Sequence, residues 1–259
     1  MIKTRIIPVL LWDGNVCIKP KQFKHPGRNV GSLMQNIKVM ESRDVDEIIL
    51  LDITATKEKH IPWFERIKEF TEELFCPCTI GGGISSLWDI EQMLRAGADK
   101  VSINSVAINF DFIEQAAKRF GSQCITVSVD SRSTEKFAYR GTVVKIDTPY
   151  IECGTRHLNM STLEYCKELC NHGAGEILLT SIDRDGTRTG YDVRLIEAIA
   201  KAVSVPVVAN GGCGGFNDMG KALEAGASAV AASSMFLFTP LTPKNCALYL
   251  DNHGFKMRV

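Results

Sequence analysis

Two glycine pairs, Gly82-Gly83 and Gly211-Gly212, lie 129 residues apart (211 − 82). Glycine lets a backbone approach a phosphate closely, and a helix starting just beyond offers free N–H groups to the anion. At the same offset Asp89 meets Asp218, Leu94 meets Leu223, Ala96-Gly97-Ala98 meets Ala225-Gly226-Ala227, and Val101 meets Val230. Ser105 meets Ser234; upstream, Glu47-Ile48 meets Glu176-Ile177 and Leu50 meets Leu179. A lone Gly-Gly is as readily a plain tight turn. Two matched copies point to a duplicated strand–turn–helix unit with two anion sites, and so to a ligand with a phosphate at each end. Asn104-Ser105 and Ser233-Ser234 can add amide, hydroxyl and backbone donors, and Asp185-Gly186-Thr187 can support the second site.

Carboxylates follow several apolar runs: Asp52, Asp130, Asp183 and Asp185. Asp130 closes Ile125-Thr126-Val127-Ser128-Val129 and is the best candidate general acid/base, the bland alternative being a loop cap. Asp52 and Asp183 are expected to hold loops or bind substrate hydroxyls. Neither carboxylates nor histidines cluster densely enough for a metal, and no cofactor is expected. The nine cysteines are scattered and odd in number. Cys76-Pro77-Cys78 is too tight for a zinc knuckle. Cys166, Cys170 and His172 could be drawn as ligands, but Cys166 and Cys170 stand one helical turn apart beside Leu163 and Leu169, which favours packed thiols. Reduced thiols in a cytoplasmic protein are expected.

The elements that must position these residues follow from the patterning. Apolar runs with little alternation, as expected of strands buried on both faces, cover 5–11, 47–52, 78–80, 100–103, 125–130, 176–181, 207–209 and 229–232. Helical patterns cover 33–43, 62–74, 87–96, 112–120, 158–170, 192–202, 216–225 and 244–252. Eight strand–helix units in two similar halves predict an α/β fold, a (β/α)8 TIM barrel of two half-barrels in a single domain over 1–259. A doubly wound sheet is the runner-up. In such a barrel the loops after strands form the catalytic face. Arg5, Glu47, Lys100 and Glu176 each open a strand, so they are expected to ring the opposite end, as a salt-bridged closure or as a gate.

Two insertions stand out. Trp12–Val30 is a long polar segment with Lys19, Lys21, Lys24, His25 and Arg28, expected to be a mobile loop closing over an anion. Lys136–Lys145 alternates around Arg140-Gly141 and predicts a hairpin. Lys+Arg and Asp+Glu are both 30 in 259 residues, so net charge makes no case for nucleic acid or an anionic membrane. No apolar run reaches the roughly 18 residues of a membrane span, and the N-terminal residues lead into a strand rather than a signal peptide.

Several strings carry a resemblance: Arg5-Ile6-Ile7, Asp13-Gly14, Leu51-Asp52-Ile53-Thr54-Ala55, Ile80-Gly81-Gly82-Gly83-Ile84, Gly97-Ala98-Asp99-Lys100-Val101-Ser102-Ile103-Asn104, and Leu179 through Thr187. The chain resembles HisF, the cyclase subunit of imidazole glycerol phosphate synthase, nearly end to end. The resemblance implies ammonia from a HisH glutaminase docked at the barrel bottom. It implies a bis-phosphorylated ribulosyl-formimino substrate at the top. It places an ammonia gate on Arg5, Glu47, Lys100 and Glu176, puts Asp99 at the glutaminase interface, and makes Asp130 one of two catalytic aspartates. The other departs from the pattern. The family's first strand ends Cys-Leu-Asp-Val-Lys-Asp-Gly; here Val9-Leu10-Leu11-Trp12-Asp13-Gly14 is one residue shorter. The internal repeat sets Leu11 opposite Asp130, and Asp13 matches a separate aspartate of the family. This is similar to a HisF-like branch that feeds ammonia to an amidotransferase on a nucleotide-sugar, turning an acetamido group of bacterial surface sugars into acetamidino. Leu11 in the place of an acid/base partner predicts little turnover of the histidine-pathway substrate and no rescue of a cyclase-deficient auxotroph, with ammonia delivery kept. The ordinary synthase and a non-catalytic ammonia-conducting scaffold remain the alternatives.

Overall fold

The computed structural model describes residues 3–14, 16–137 and 143–258, apart from the side chains at 25, 135–137 and 143–144. Eight parallel strands close into a barrel. They are β1 (Arg5–Trp12), β4 (Ile48–Asp52), β5 (Cys78–Gly81), β6 (Lys100–Ile103), β7 (Ile125–Phe137), β10 (Glu176–Ser181), β11 (Val207–Asn210) and β12 (Ala229–Ala232). In that order each pairs with the next, and β12 pairs back to β1, so the barrel has no open edge. The family of expected strands is present, and the repeat halves occupy β1–β6 and β7–β12.

Alternation along each strand splits the apolar residues into two populations. Ile7, Val9, Ile49, Leu178, Val208, Ala229 and Ala231 form a cluster inside the barrel. Their neighbours Ile6, Leu10, Ile48, Leu50, Leu179 and Val230 belong to the larger core under the helices. A strand buried on both faces therefore reads as one continuous apolar run.

Helices cover the barrel: α1 (Leu33–Glu41), α2 (Ala55–Glu58), α3 (Phe64–Thr71), α4 (Leu87–Arg95), α5 (Phe110–Phe120), α6 (Thr162–Asn171), α7 (Val193–Ala200), α8 (Phe216–Glu224), α9 (Ser234–Phe238) and α10 (Pro243–Asn252). Helix α6 starts four residues later than the apolar pattern alone predicts. Ser161 caps it: its hydroxyl accepts from Glu164 N at 3.2 Å, and the Glu164 carboxylate accepts from Ser161 N at 2.9 Å.

The segment expected to be a long loop after the first strand is instead a hairpin, β2 (Val16–Lys21) and β3 (Lys24–Ser32). It continues the sheet, because β2 pairs antiparallel with the end of β1 through Trp12 and Cys17. Pro20, Pro26 and Gly27 hide it in the sequence. Gly27 is required there, since a Cβ would lie 2.6 Å from Pro20 N across the hairpin. The second insertion forms the expected antiparallel pair, β7 with β8 (Val143–Ile151), extended by β9 (Arg156–His157). Its expected Arg140-Gly141 turn lies outside the described residues.

Both glycine pairs turn the chain sharply at strand ends. Gly82 has φ +111°, and a Cβ would sit 2.4 Å from the Asp52 carbonyl oxygen; Gly212 has φ +105°, with a Cβ 2.3 Å from Gly190 O. Gly215 has nothing within 4 Å of a built Cβ and caps α8 in extended conformation. Gly82→Ala and Gly212→Ala should each destabilise the fold by at least about 2 kcal/mol. Gly215→Ser should be neutral or stabilising by roughly a few tenths of a kcal/mol, since serine is a slightly better N-cap than glycine. Urea unfolding of the three variants checks this.

Candidate active site

At the end of the barrel where strands begin, four charges meet. Arg5 bridges Glu47 and Glu176, and Lys100 Nζ lies 3.0 Å from Glu47 Oε1 and 3.1 Å from Glu176 Oε2. Thr79 Oγ1 donates to Glu47 Oε1 at 3.0 Å. The two glutamates are buried and the two cations are one-fifth exposed. Burial alone would raise Glu176, but Arg5 and Lys100 outweigh it and hold the carboxyl below its usual range. The four expected ring residues thus form one alternating ring. Asp99 is exposed beside the start of β6 and accepts from Cys78 N at 2.8 Å.

At the opposite end lies a cavity. Asp130, Asp52, Lys19, Gly82, Gly83, Asn104, Ser105, Asp185 and Ser233 all line it. An adjoining pocket shares Lys19, Asp185 and Ser233 and adds Gly186, Gly211, Gly212 and Ser234. Each glycine pair is therefore grouped with the hydroxyl residues of the next strand's end, as the repeat requires. Asp183 is not brought in. It is exposed outside both spaces, accepts from Ser133 N at 2.8 Å and lies 3.6 Å from Arg132 Nε.

Asp130 is buried, with Asn104 Nδ2 donating to its Oδ2 at 3.1 Å. Burial pushes its carboxyl up to about 7; the Thr180 hydroxyl pulls it back and the charge of Asp185 adds to the rise. A buried carboxyl near neutrality can give or take a proton at working pH. Leu11 lines the same cavity from β1, which lies across the barrel from β7. Four buried polar atoms of this space have no hydrogen-bond partner: Asp52 Oδ2, Asp185 Oδ2, Ser102 Oγ and Ser233 Oγ.

The hairpin lies over the mouth. Lys19 Nζ is buried 2.9 Å from Asp185 Oδ1, and Gln22 Nε2 donates to Asp183 O at 2.7 Å. Lys19 is thus paired in this structure, where the sequence suggested a free phosphate ligand on a mobile loop. Two lining residues lay outside the expected set. Cys153 enters the cavity from the turn between β8 and β9, and Arg188 lines the glycine pocket at φ +58°. Arg188 follows the Asp185-Gly186-Thr187 string and could have been read as an anion ligand. Nothing in the sequence foretells the turn that delivers Cys153.

A family model described as histidine biosynthesis protein matches residues 5–242. The chain is 41% identical to the imidazole glycerol phosphate synthase subunit HisF of a Hydrogenobaculum species over the whole of both chains. It is 40% identical to HisF of Helicobacter hepaticus over 98% of each. It is also 40% identical, over the whole of both, to a Campylobacter jejuni protein named "Putative imidazole glycerol phosphate synthase subunit hisF2". The chain belongs to the HisF family. Among the described residues no helix is long and apolar enough to cross a membrane, and no group of three or more His, Cys, Asp or Glu is set to hold a metal ion.

The raised Asp130 carboxyl has a consequence for stability. The unfolded chain ionises this group near its ordinary value of 3.8, whereas the folded protein ionises it near 7. Above the lower value the unfolded state binds fewer protons, so stability falls as pH rises from about 4 to 7. The loss has a ceiling of roughly 4 kcal/mol. Asp130→Asn removes it, so the variant should match the wild type near pH 4 and exceed it at pH 8. Paired urea titrations at the two pH values test the sign.

Proposed function

We propose that this chain is the ammonia-accepting synthase subunit of a glutamine amidotransferase pair, of the imidazole glycerol phosphate synthase type. One observation carries the reading: a single barrel stacks a buried charge ring at one end against a cavity holding Asp130 between two glycine cradles at the other. Buried ion pairs are weak stabilisers beside apolar packing. Four converging charges at the entrance to a barrel therefore suit a gate for a small polar molecule better than a closure. In this reading a HisH-like glutaminase docks on the ring face, which includes Asp99, and ammonia enters past Arg5, Glu47, Lys100 and Glu176. A phosphorylated small molecule spans the two glycine turns, and Asp130 handles protons at the reacting carbon. The whole chain, 1–259, acts as one domain. Nine free thiols suit the reducing cytoplasm.

A second reading has its own observation, Leu11 on the cavity wall where the family pattern has an aspartate. The barrel would then deliver ammonia to a different acceptor. An acetamidino-forming amidotransferase on a nucleotide-sugar is the candidate partner, with the barrel conducting ammonia and doing no cyclisation. The first reading is favoured because Asp52 supplies the cavity with another buried carboxylate.

Two measurements divide the readings. Mixing the chain with its HisH-like partner should stimulate glutamine hydrolysis, and its expression should restore growth of a cyclase-deficient histidine auxotroph. Stimulation without growth would select the second reading. No complex and no stimulation would defeat both.

A further inference from the structure

We infer that Asp52 and His60 together form the second proton-transfer group of this cavity, working across it from Asp130. The inference rests on the cyclase reading and deepens it.

Asp52 ends β4, the neighbour of β1, and stands in register with Trp12, one residue past Leu11. That register sets it on the strand face opposite to Leu11, at the end of β4, where it lines the cavity beside Leu51 and Ile53. Its Oδ1 is saturated: Thr54 N and Thr54 Oγ1 donate at 2.9 Å and Ala55 N at 3.1 Å. Its Oδ2 is buried with no hydrogen-bond partner. The chain then turns back through Lys59, a non-glycine at φ +56°, and brings the His60 ring to it. His60 Nδ1 lies 2.8 Å from Ile61 O, a carbonyl that can only accept, so Nδ1 carries a hydrogen. Nε2 is the nitrogen left to gain or lose a proton, and it faces Asp52 Oδ2 at 3.8 Å. A catalytic contact of this length in an empty site can tighten around substrate. The Trp63 ring, 5.2 Å from the imidazole, backs it. Cys153 shares this wall, but burial and the charges of Asp130 and Asp52 push its thiol up, leaving Asp52 as the acceptor.

The chemistry balances with these groups alone. Ammonia bonds to the ketone carbon of the ribulosyl substrate, and the carbonyl oxygen takes the Asp130 proton. The new ammonium gives one proton to the Asp52–His60 pair. That proton passes to the hydroxyl, the C–O bond breaks and water leaves. The resulting iminium returns its proton to Asp130. Both groups end as they began, with no oxidation or reduction.

The test is ammonium-driven turnover of the bis-phosphorylated ribulosyl-formimino substrate by the wild type, His60→Gln, His60→Ala and Asp52→Asn. Asp52→Asn keeps the Oδ1 acceptor that caps the loop, so it should fold. Each variant should lose kcat on the order of 10²-fold with KM changed less than about threefold. Added imidazole should restore His60→Ala on the order of tenfold. An active wild type whose His60→Gln keeps its kcat, or whose His60→Ala is not rescued, would overturn the pair alone. A folded wild type with no turnover would remove the cyclase reading, and the pair with it.

Discussion

Closing eight strands into a barrel forces alternate side chains of every strand into one narrow interior. That constraint decides what each layer can be. Charges there must be paired or neutralised, because water is excluded. The bottom layer takes the first solution: Arg5 and Lys100 each touch both Glu47 and Glu176, so no charge is left alone. The upper layer takes the second. Among the described residues the hydrogen-bond partners of Asp130 are neutral, namely Asn104, Thr180 and Ser128, and burial raises its carboxyl to about 7. The same desolvation that the ring answers with ion pairs raises the Asp130 carboxyl.

The interior is not uniform around its circumference. Apolar side chains from β1, β4, β10, β11 and β12 (Ile7, Val9, Ile49, Leu178, Val208, Ala229 and Ala231) form one wall. Buried hydroxyls come mainly from β5, β6 and β7, as Thr79, Ser102, Thr126 and Ser128. The two halves share a backbone repeat but have diverged inside. Leu11 and Asp130 are the clearest case: equivalent by the repeat, opposite in polarity, and both at the cavity. Duplication preserves the glycine turns, whose conformation tolerates little else, while interior residues remain free to specialise.

That difference also explains what could be read from the chain. Barrel strands announced themselves as apolar runs because both their faces are buried. The glycine turns were legible because Gly82 and Gly212 occupy positions where a Cβ would strike a carbonyl oxygen. The ring was legible because its members open strands, where direction and phase are fixed. Legibility failed where phase ends. Asp183 lies two residues past β10, in a turn with no periodicity to say which way it points, and it faces outward. The β2–β3 hairpin read as a loop because it covers the polar mouth and so carries charges, prolines and a glycine rather than an apolar stripe.

The hairpin shows how this cover is held without a core of its own. Its tip, Gln22 and Phe23, is in left-handed conformation at φ +53° and +61°, and the facing turn has Glu152 and Cys153 at +54° and +57°. Each such residue costs on the order of 1–2 kcal/mol. The two strained turns meet: a Cβ on Gly154 would lie 2.9 Å from the Phe23 ring. What offsets the strain is polar: the buried Lys19–Asp185 pair at the cavity, and the Gln22 bonds to Asp183 O and Asp185 O. A cover secured through groups that also line the ligand space is sensitive to what fills that space. An anion drawn to Lys19 would compete with Asp185 for its ammonium group.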